Sequence, residues 1–162
     1  MTVRGRDPRA RLWQAARMFT EWQTALLEEQ RVATLGTLTA SGAPHLVPVC
    51  YALDAGDIVI AHDEKPKAPG PLARIRNVER DPRATLLVQR YDDDWTRLAW
   101  VRLVGRAHVV EAGRMRPPAL TALRRRYPQY REMDLEGRPL LVLVPARLVA
   151  WRWQNLEPGQ SV

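Results

Sequence analysis

The chain between Arg31 and Val110 reads, in four pieces, RVATLGTLTASGAPHLVPVCYAL (31–53), DIVIAHDEKPK (57–67), PLARIRNVERDPRATLLVQ (71–89) and DDDWTRLAWVRLVGRAHVV (92–110). Each piece carries a run rich in Val, Leu, Ile and Thr that is too short for a core helix and is bounded by turn residues. Such runs read as strands, here 32–39, 45–53, 58–62, 84–90 and 98–110. Ala40-Ser41-Gly42-Ala43 turns the first strand into the second, and Asp54-Ala55-Gly56-Asp57 is a tight hairpin. Pro48 interrupts the second run. A proline cannot donate to a ladder, so its position is an edge, a bulge or a place where a ligand borders the strand. Gly105 marks a bulge or bend in the fifth.

Working outward, residues 9–30 read as a helix. Leu12, Ala16, Phe19, Trp22 and Leu26 give one apolar stripe, with Asp7 as its cap and Pro8 at its first position. A second short helix covers 72–80 and ends at Asp81-Pro82. A third covers 118–130, with Leu120, Leu123 and Tyr127 on one face. Residues 138–144 form a sixth strand, and 148–153 a seventh or a continuation of the sixth after Pro145. Hairpin-linked strands favour an antiparallel, mainly β (α+β) sheet or barrel over a parallel βαβ sheet.

The 162 residues are expected to form one domain: an N-terminal helix over 1–30, a barrel over 31–154 and a tail over 155–162. No apolar run is long enough for a membrane span, and the N-terminus carries no secretory h-region. Cys50 is the only cysteine, which excludes an intrachain disulfide and fits a cytoplasmic location. With neither base nor cation near it in sequence, it reads as a small buried hydrophobe. The net charge of +7 points to an anionic partner. Of 25 basic residues only Lys65 and Lys67 are lysines, and both stand in one loop stiffened by Pro66, Pro69 and Pro71.

Several chemistries are set aside. Nucleotide-loop, zinc-protease and serine-hydrolase motifs are missing. His45, His62 and His108 are not at metal-ligand spacing, so no metal is expected. Asp92, Asp93 and Asp94 read as a hairpin turn, and Arg124, Arg125 and Arg126 as a solvated helix face rather than a nucleic-acid contact. Trp151 and Trp153 share one face, which is core, subunit interface or cofactor wall. The start of the 72–80 helix is different. Its first amides and its positive dipole end favour an anion, and Arg74 and Arg76 add fork-shaped donors suited to phosphate oxygens. A proline-interrupted strand, a basic helix start and a Trp-bearing turn together suit a flat ring with an anionic tail.

The pieces ATLGTLTASGAPHLVPVCY, ARIRNVERDPRATLLV and DDDWTRLAWVRLVGRA resemble the flavin-binding split-barrel superfamily that includes pyridoxamine 5'-phosphate oxidases. The DEKPK loop and the long last piece look like its deazaflavin (coenzyme F420)-dependent branch, and PLLVLVPARLVAWRW is similar to the strand pair that ends the family's fold. The resemblance implies a six-stranded antiparallel split β-barrel with Greek-key connections and flanking helices. It also implies a homodimer with a cofactor in each interface cleft. Carried over by position, Val47, Pro48 and Val49 border the ring, and Arg74, with Arg76 close behind, reaches the phosphate. Trp95 is an aromatic near the cofactor, Arg138 a basic residue offered from the partner subunit, and Lys65 and Lys67 meet the anionic tail. Arg74 departs from the lysine that family members often carry there. The implied activity is an F420-dependent oxidoreductase moving a hydride to or from a small organic substrate, with Tyr51 or His62 as possible proton donors and no catalytic residue assigned. The alternatives are an FMN-binding oxidase or reductase of the same fold, and a non-catalytic cofactor- or haem-binding protein.

Overall fold

A computed structural model describes residues 18–62, 72–114 and 117–153. The expected start of the first helix at Asp7-Pro8, the Lys65–Lys67 loop and the 155–162 tail lie outside the described residues. Seven strands form one antiparallel sheet: β1 (Ala33–Leu38), β2 (Pro44–Val49), β3 (Ala52–Asp54), β4 (Asp57–Ala61), β5 (Arg83–Arg90), β6 (Ala99–Val110) and β7 (Leu140–Arg152). Three helices flank it: α1 (Glu21–Glu29), α2 (Ala73–Arg80) and α3 (Pro117–Arg126). The strand order is β2-β1-β5-β6-β7-β4-β3.

That order explains the barrel. The two edge strands, β2 and β3, are consecutive in the chain and separated only by Cys50 and Tyr51. Two residues span a few ångströms, so the sheet must curl until its edges approach. The expectation of six strands is therefore corrected to seven. The run 45–53 is divided at Cys50-Tyr51 as it leaves β1 and joins β4. The runs 138–144 and 148–153 instead form the single strand β7, which passes through Pro145 without ending.

Pro145 is tolerated because the β6–β7 ladder slips beside it. Gly105 pairs with Pro145 and Val104 with Arg147, leaving Ala146 as the extra residue of a bulge. A Cβ on Gly105 would come within 2.1 Å of the Val144 carbonyl oxygen, so only glycine fits this corner. The β3–β4 hairpin turns through Ala55 (φ 51°) and Gly56 (φ 89°), the left-handed pair that a two-residue turn demands.

Register sorts the side chains. Residues opposed across an antiparallel ladder point to the same face. The row Val47–Leu35–Leu86–Leu103–Leu148 points into the barrel, and its three central leucines are fully buried. The next row, Pro48–Thr34–Leu87–Arg102–Val149, points outward. On β4 both faces are buried: Ile58 and Ile60 join the barrel core, while Val59 and Ala61 join a second core under α3 with Leu120, Leu123, Tyr127 and Tyr130. This is why DIVIA reads as an unbroken apolar run.

The helices differ in two places from the sequence expectation. Of the expected 9–30 helix the described residues show Glu21–Glu29 as α1, started at Thr20, whose backbone is extended and whose N–H donates to Gln23 Oε1 at 2.9 Å. The 118–130 helix stops at Arg126. Pro128 cannot continue it, and a short 3-10 turn, Pro128–Arg131, follows.

Candidate functional site

β2 is an edge strand, as Pro48 allows, and it presents backbone groups that no neighbouring strand takes up on one side. Val49 is buried in the barrel, Val47 is half-buried on the same face, and Pro48 points outward, exposed, opposite Thr34. The strand is held from beneath by its partner β1.

α2 packs across β1 and β6, the two strands that flank β5, and so lies over one end of the barrel. Ile75 and Val78 enter the core. The helix is pinned by a polar chain that sequence reading did not single out. Buried Asn77 donates through Nδ2 to Thr37 Oγ1 at 3.0 Å, and Thr37 lies 3.5 Å from His45 Nδ1 on β2. Arg80 donates to Asn77 Oδ1 at 3.1 Å and to the Leu38 carbonyl. The only signal for this in the sequence was an asparagine inside a helix that is otherwise charged and apolar. The chain ties α2 to the β1–β2 hairpin, and so joins the element carrying Arg74 and Arg76 to the one carrying Val47, Pro48 and Val49.

The first turn of α2 has no side-chain cap and no acidic residue. Leu72, at the cap position, has no oxygen to offer. Arg74 in that turn is half-buried and Arg76 is exposed. A helix start without a side-chain cap, beside two guanidinium groups, makes an electropositive end.

Trp95 lies apart from α2. Trp95 opens a 3-10 turn between β5 and β6 and is 61% exposed. Asp94 caps that turn, accepting from the Thr96 N–H at 3.0 Å, and its carboxyl is held below the usual range by the Thr96 hydroxyl and amide. Trp95 follows the end of β5 whereas α2 precedes its start, so the eight residues of β5 separate them within one protomer. Arg138 is half-buried just before β7, where Leu140 pairs with Ala61 and Val110. Lys65 and Lys67 lie outside the described residues.

Tyr51 is not placed to donate a proton to a ligand. It is fully buried, and its hydroxyl donates to the Leu27 carbonyl (2.7 Å) and the Gln30 carbonyl (3.0 Å) at the end of α1. Burial pushes its phenol well above the ordinary value, against the opposing pull of the Arg126 charge. Cys50 is half-buried against the second core, more open than expected. No group of three potential metal ligands occurs among the described residues, and none of their helices is long and apolar enough to cross a membrane.

The outward face of β2, β1, β5, β6 and β7 sets exposed apolar side chains among Arg83, Gln89, Arg102 and Arg147. Leu46 is 66% exposed, Val32 54% and Trp151 42%, with Pro44, Pro48, Leu87, Val104 and Val149 among them. A cleft of about 320 Å³ opens on this face, walled by Gly36, Leu38, Pro44, Leu46, Thr85 and Val104.

The family model described as pyridoxamine 5'-phosphate oxidase matches residues 19–152. Among solved structures, a conserved hypothetical protein from Mycobacterium tuberculosis is 26% identical, with 90% of this chain and 92% of that one covered and a TM-score of 0.66. The heme storage protein HutZ from Vibrio cholerae is 13% identical over 83% of this chain and 94% of its own, with a TM-score of 0.61. A heme binding protein from Mycobacterium smegmatis is 22% identical over 93% of this chain and 60% of its own, with a TM-score of 0.56. These last two share the fold.

Proposed function

This chain belongs to the pyridoxamine 5'-phosphate oxidase family, and from that premise we propose that it is an oxidoreductase holding a deazaflavin of the coenzyme F420 type in a groove completed by a second copy of the chain. The observation that carries the reading is the basic, uncapped start of α2, fastened through Asn77 and Thr37 to the edge strand β2. Anion-binding groups and an open strand edge are thereby held on one rigid unit, as a ring with a phosphorylated tail requires.

The residues fit such a group. Arg74 and Arg76 hold the phosphate, and the backbone of Val47, Pro48 and Val49 borders the ring edge. Lys65 and Lys67 meet the remaining negative charge of the tail. When bound, the ring supplies the hydride chemistry; the protein binds, orients and excludes water. Trp95 lies beyond β5 from α2 in one protomer, so it serves the groove from the partner, across the outer face, as does Arg138. That face exposes Leu46, Val32 and Trp151, and a second copy is the cover we assign to them. With Tyr51 engaged by backbone carbonyls, His62 at the end of β4 remains the candidate to carry a proton.

The test is a set of three titrations of the purified protein, with deazaflavin, FMN and haem, followed by fluorescence quenching or absorption change. Haem is included because two proteins of this fold are named for it. Deazaflavin binding with turnover of a reducible substrate is expected. Tight FMN binding without deazaflavin binding would reverse the choice of cofactor. Deazaflavin or haem binding without turnover of any substrate would mark a storage protein.

A further inference from the structure

On the side of the molecule where α1, β3 and α3 meet, a pocket of about 240 Å³ is lined by Arg31, Arg125 and Arg126. Glu28 is the only carboxylate in its wall. The apolar part of the wall is Ala52, Leu53 and Ala122. The site is not the proposed cofactor groove, since α2 packs elsewhere, on β1 and β6.

Two of the three guanidinium groups are fixed in place. Arg126 donates through Nη2 to the Leu27 carbonyl (2.9 Å) and to the Gln30 carbonyl, and through Nε to the Tyr127 hydroxyl (3.2 Å). Its guanidinium carbon stands 4.7 Å from the Tyr51 ring centre and 5.7 Å from that of Tyr127. Arg31 stands 5.1 Å from the Tyr127 ring and donates to the Arg126 carbonyl. These contacts consume three of the five donors of Arg126 and one of those of Arg31. The Arg125 side chain makes no hydrogen bond or ion pair to any described residue. Satisfying the ends of α1 and α3 accounts for part of Arg126 and Arg31. It leaves Arg125 and the remaining donors unexplained. Three arginines against one glutamate leave a surplus of two positive charges around a space too small for a polymer.

We propose that this pocket binds a small organic phosphate monoester, its dianion held by Arg31, Arg125 and Arg126 and its carbon portion resting on Ala52, Leu53 and Ala122. Pre-positioned guanidinium groups lose little freedom on binding, and their forks match phosphate oxygens. The inference stands independently of the cofactor assignment.

The test is calorimetric titration of the full chain with phenyl phosphate, inorganic phosphate and phenol. Phenyl phosphate is expected to bind saturably and more tightly than inorganic phosphate, and phenol not at all. Arg125→Ala should weaken phenyl phosphate at least tenfold with an unchanged circular dichroism spectrum, and Arg125→Glu should abolish binding. Arg114→Ala, on an exposed turn, should leave it unchanged. Arg74→Ala should also leave it unchanged, which separates this pocket from the cofactor groove. Equal affinity for the two phosphates, no saturation, or binding lost with Arg74→Ala but kept with Arg125→Ala would each overturn the assignment, and the last would point to the cofactor groove instead.

Discussion

At the scale of residues, charge placement decides function and part of stability. Arg74→Ala removes a charged donor from the start of α2, where no cap replaces it. Cofactor binding should weaken by about 1.5–3 kcal/mol, the range for a hydrogen bond to a charged group, measured as a rise in Kd by fluorescence titration. An unchanged Kd removes Arg74 from the site. Asp81 titrates separately from the site. Arg83 donates to its carboxylate from both side chain and backbone, with contacts at 2.6–3.1 Å, and holds its pKa at about 2. The folded value is below the ordinary 3.8. Its stabilisation is therefore complete above about pH 4 and is lost as pH falls through 2. Urea midpoints recorded from pH 5 downward should fall less steeply in Asp81→Asn than in the parent. Asp94 and Glu136, whose carboxyls are also held low, retain part of the slope.

At the scale of elements, the β6–β7 ribbon is the longest pairing in the sheet and turns its corner at the bulge opposite Pro145. Gly105→Ala drives a methyl group into the Val144 carbonyl. The ribbon must shift to admit it, at a cost of about 1–3 kcal/mol. Thermal unfolding should show a Tm lower by several degrees, about 2–4 °C for each kcal/mol in a chain of this size. An unchanged Tm would mean that the corner is softer than its packing implies. The sequence marked Gly105 as a bulge because glycine inside a strand has few other uses. It left open whether the strand continues past Pro145, because the slip that accommodates the proline belongs to the partner strand as much as to β7. Likewise Asn77 was unremarkable as a helical residue. Its role exists only because the fold sets Thr37 3.0 Å away.

At the scale of the whole molecule, the proposed groove needs a second copy against the outer face. Sedimentation should give twice the 18.5 kDa chain mass. Leu46→Glu places a charge on the most exposed leucine of that face and should yield a folded monomer that no longer retains the cofactor. A wild-type monomer, or a Leu46→Glu dimer with full cofactor affinity, would locate the groove elsewhere. Trp95 makes the same demand from another direction, since β5 separates it from Arg74 within one protomer.

The sequence by itself located the apolar runs that become strands and the helix that ends at Asp81-Pro82, restricted Pro48 to an edge, a bulge or a ligand border, and carried the resemblance to the family. The first three rest on local properties: alternation of apolar residues, the missing amide of proline, and the steric freedom of glycine. Tertiary structure alone decided that 45–53 serves two strands at opposite edges, that 138–153 serves one, and that Tyr51 spends its hydroxyl on α1. It alone gathered Arg31, Arg125 and Arg126 around one pocket. Those outcomes depend on contacts between residues as many as 99 positions apart. Local propensity carries no information about such pairs; curling the sheet until its edges meet is what brings them together.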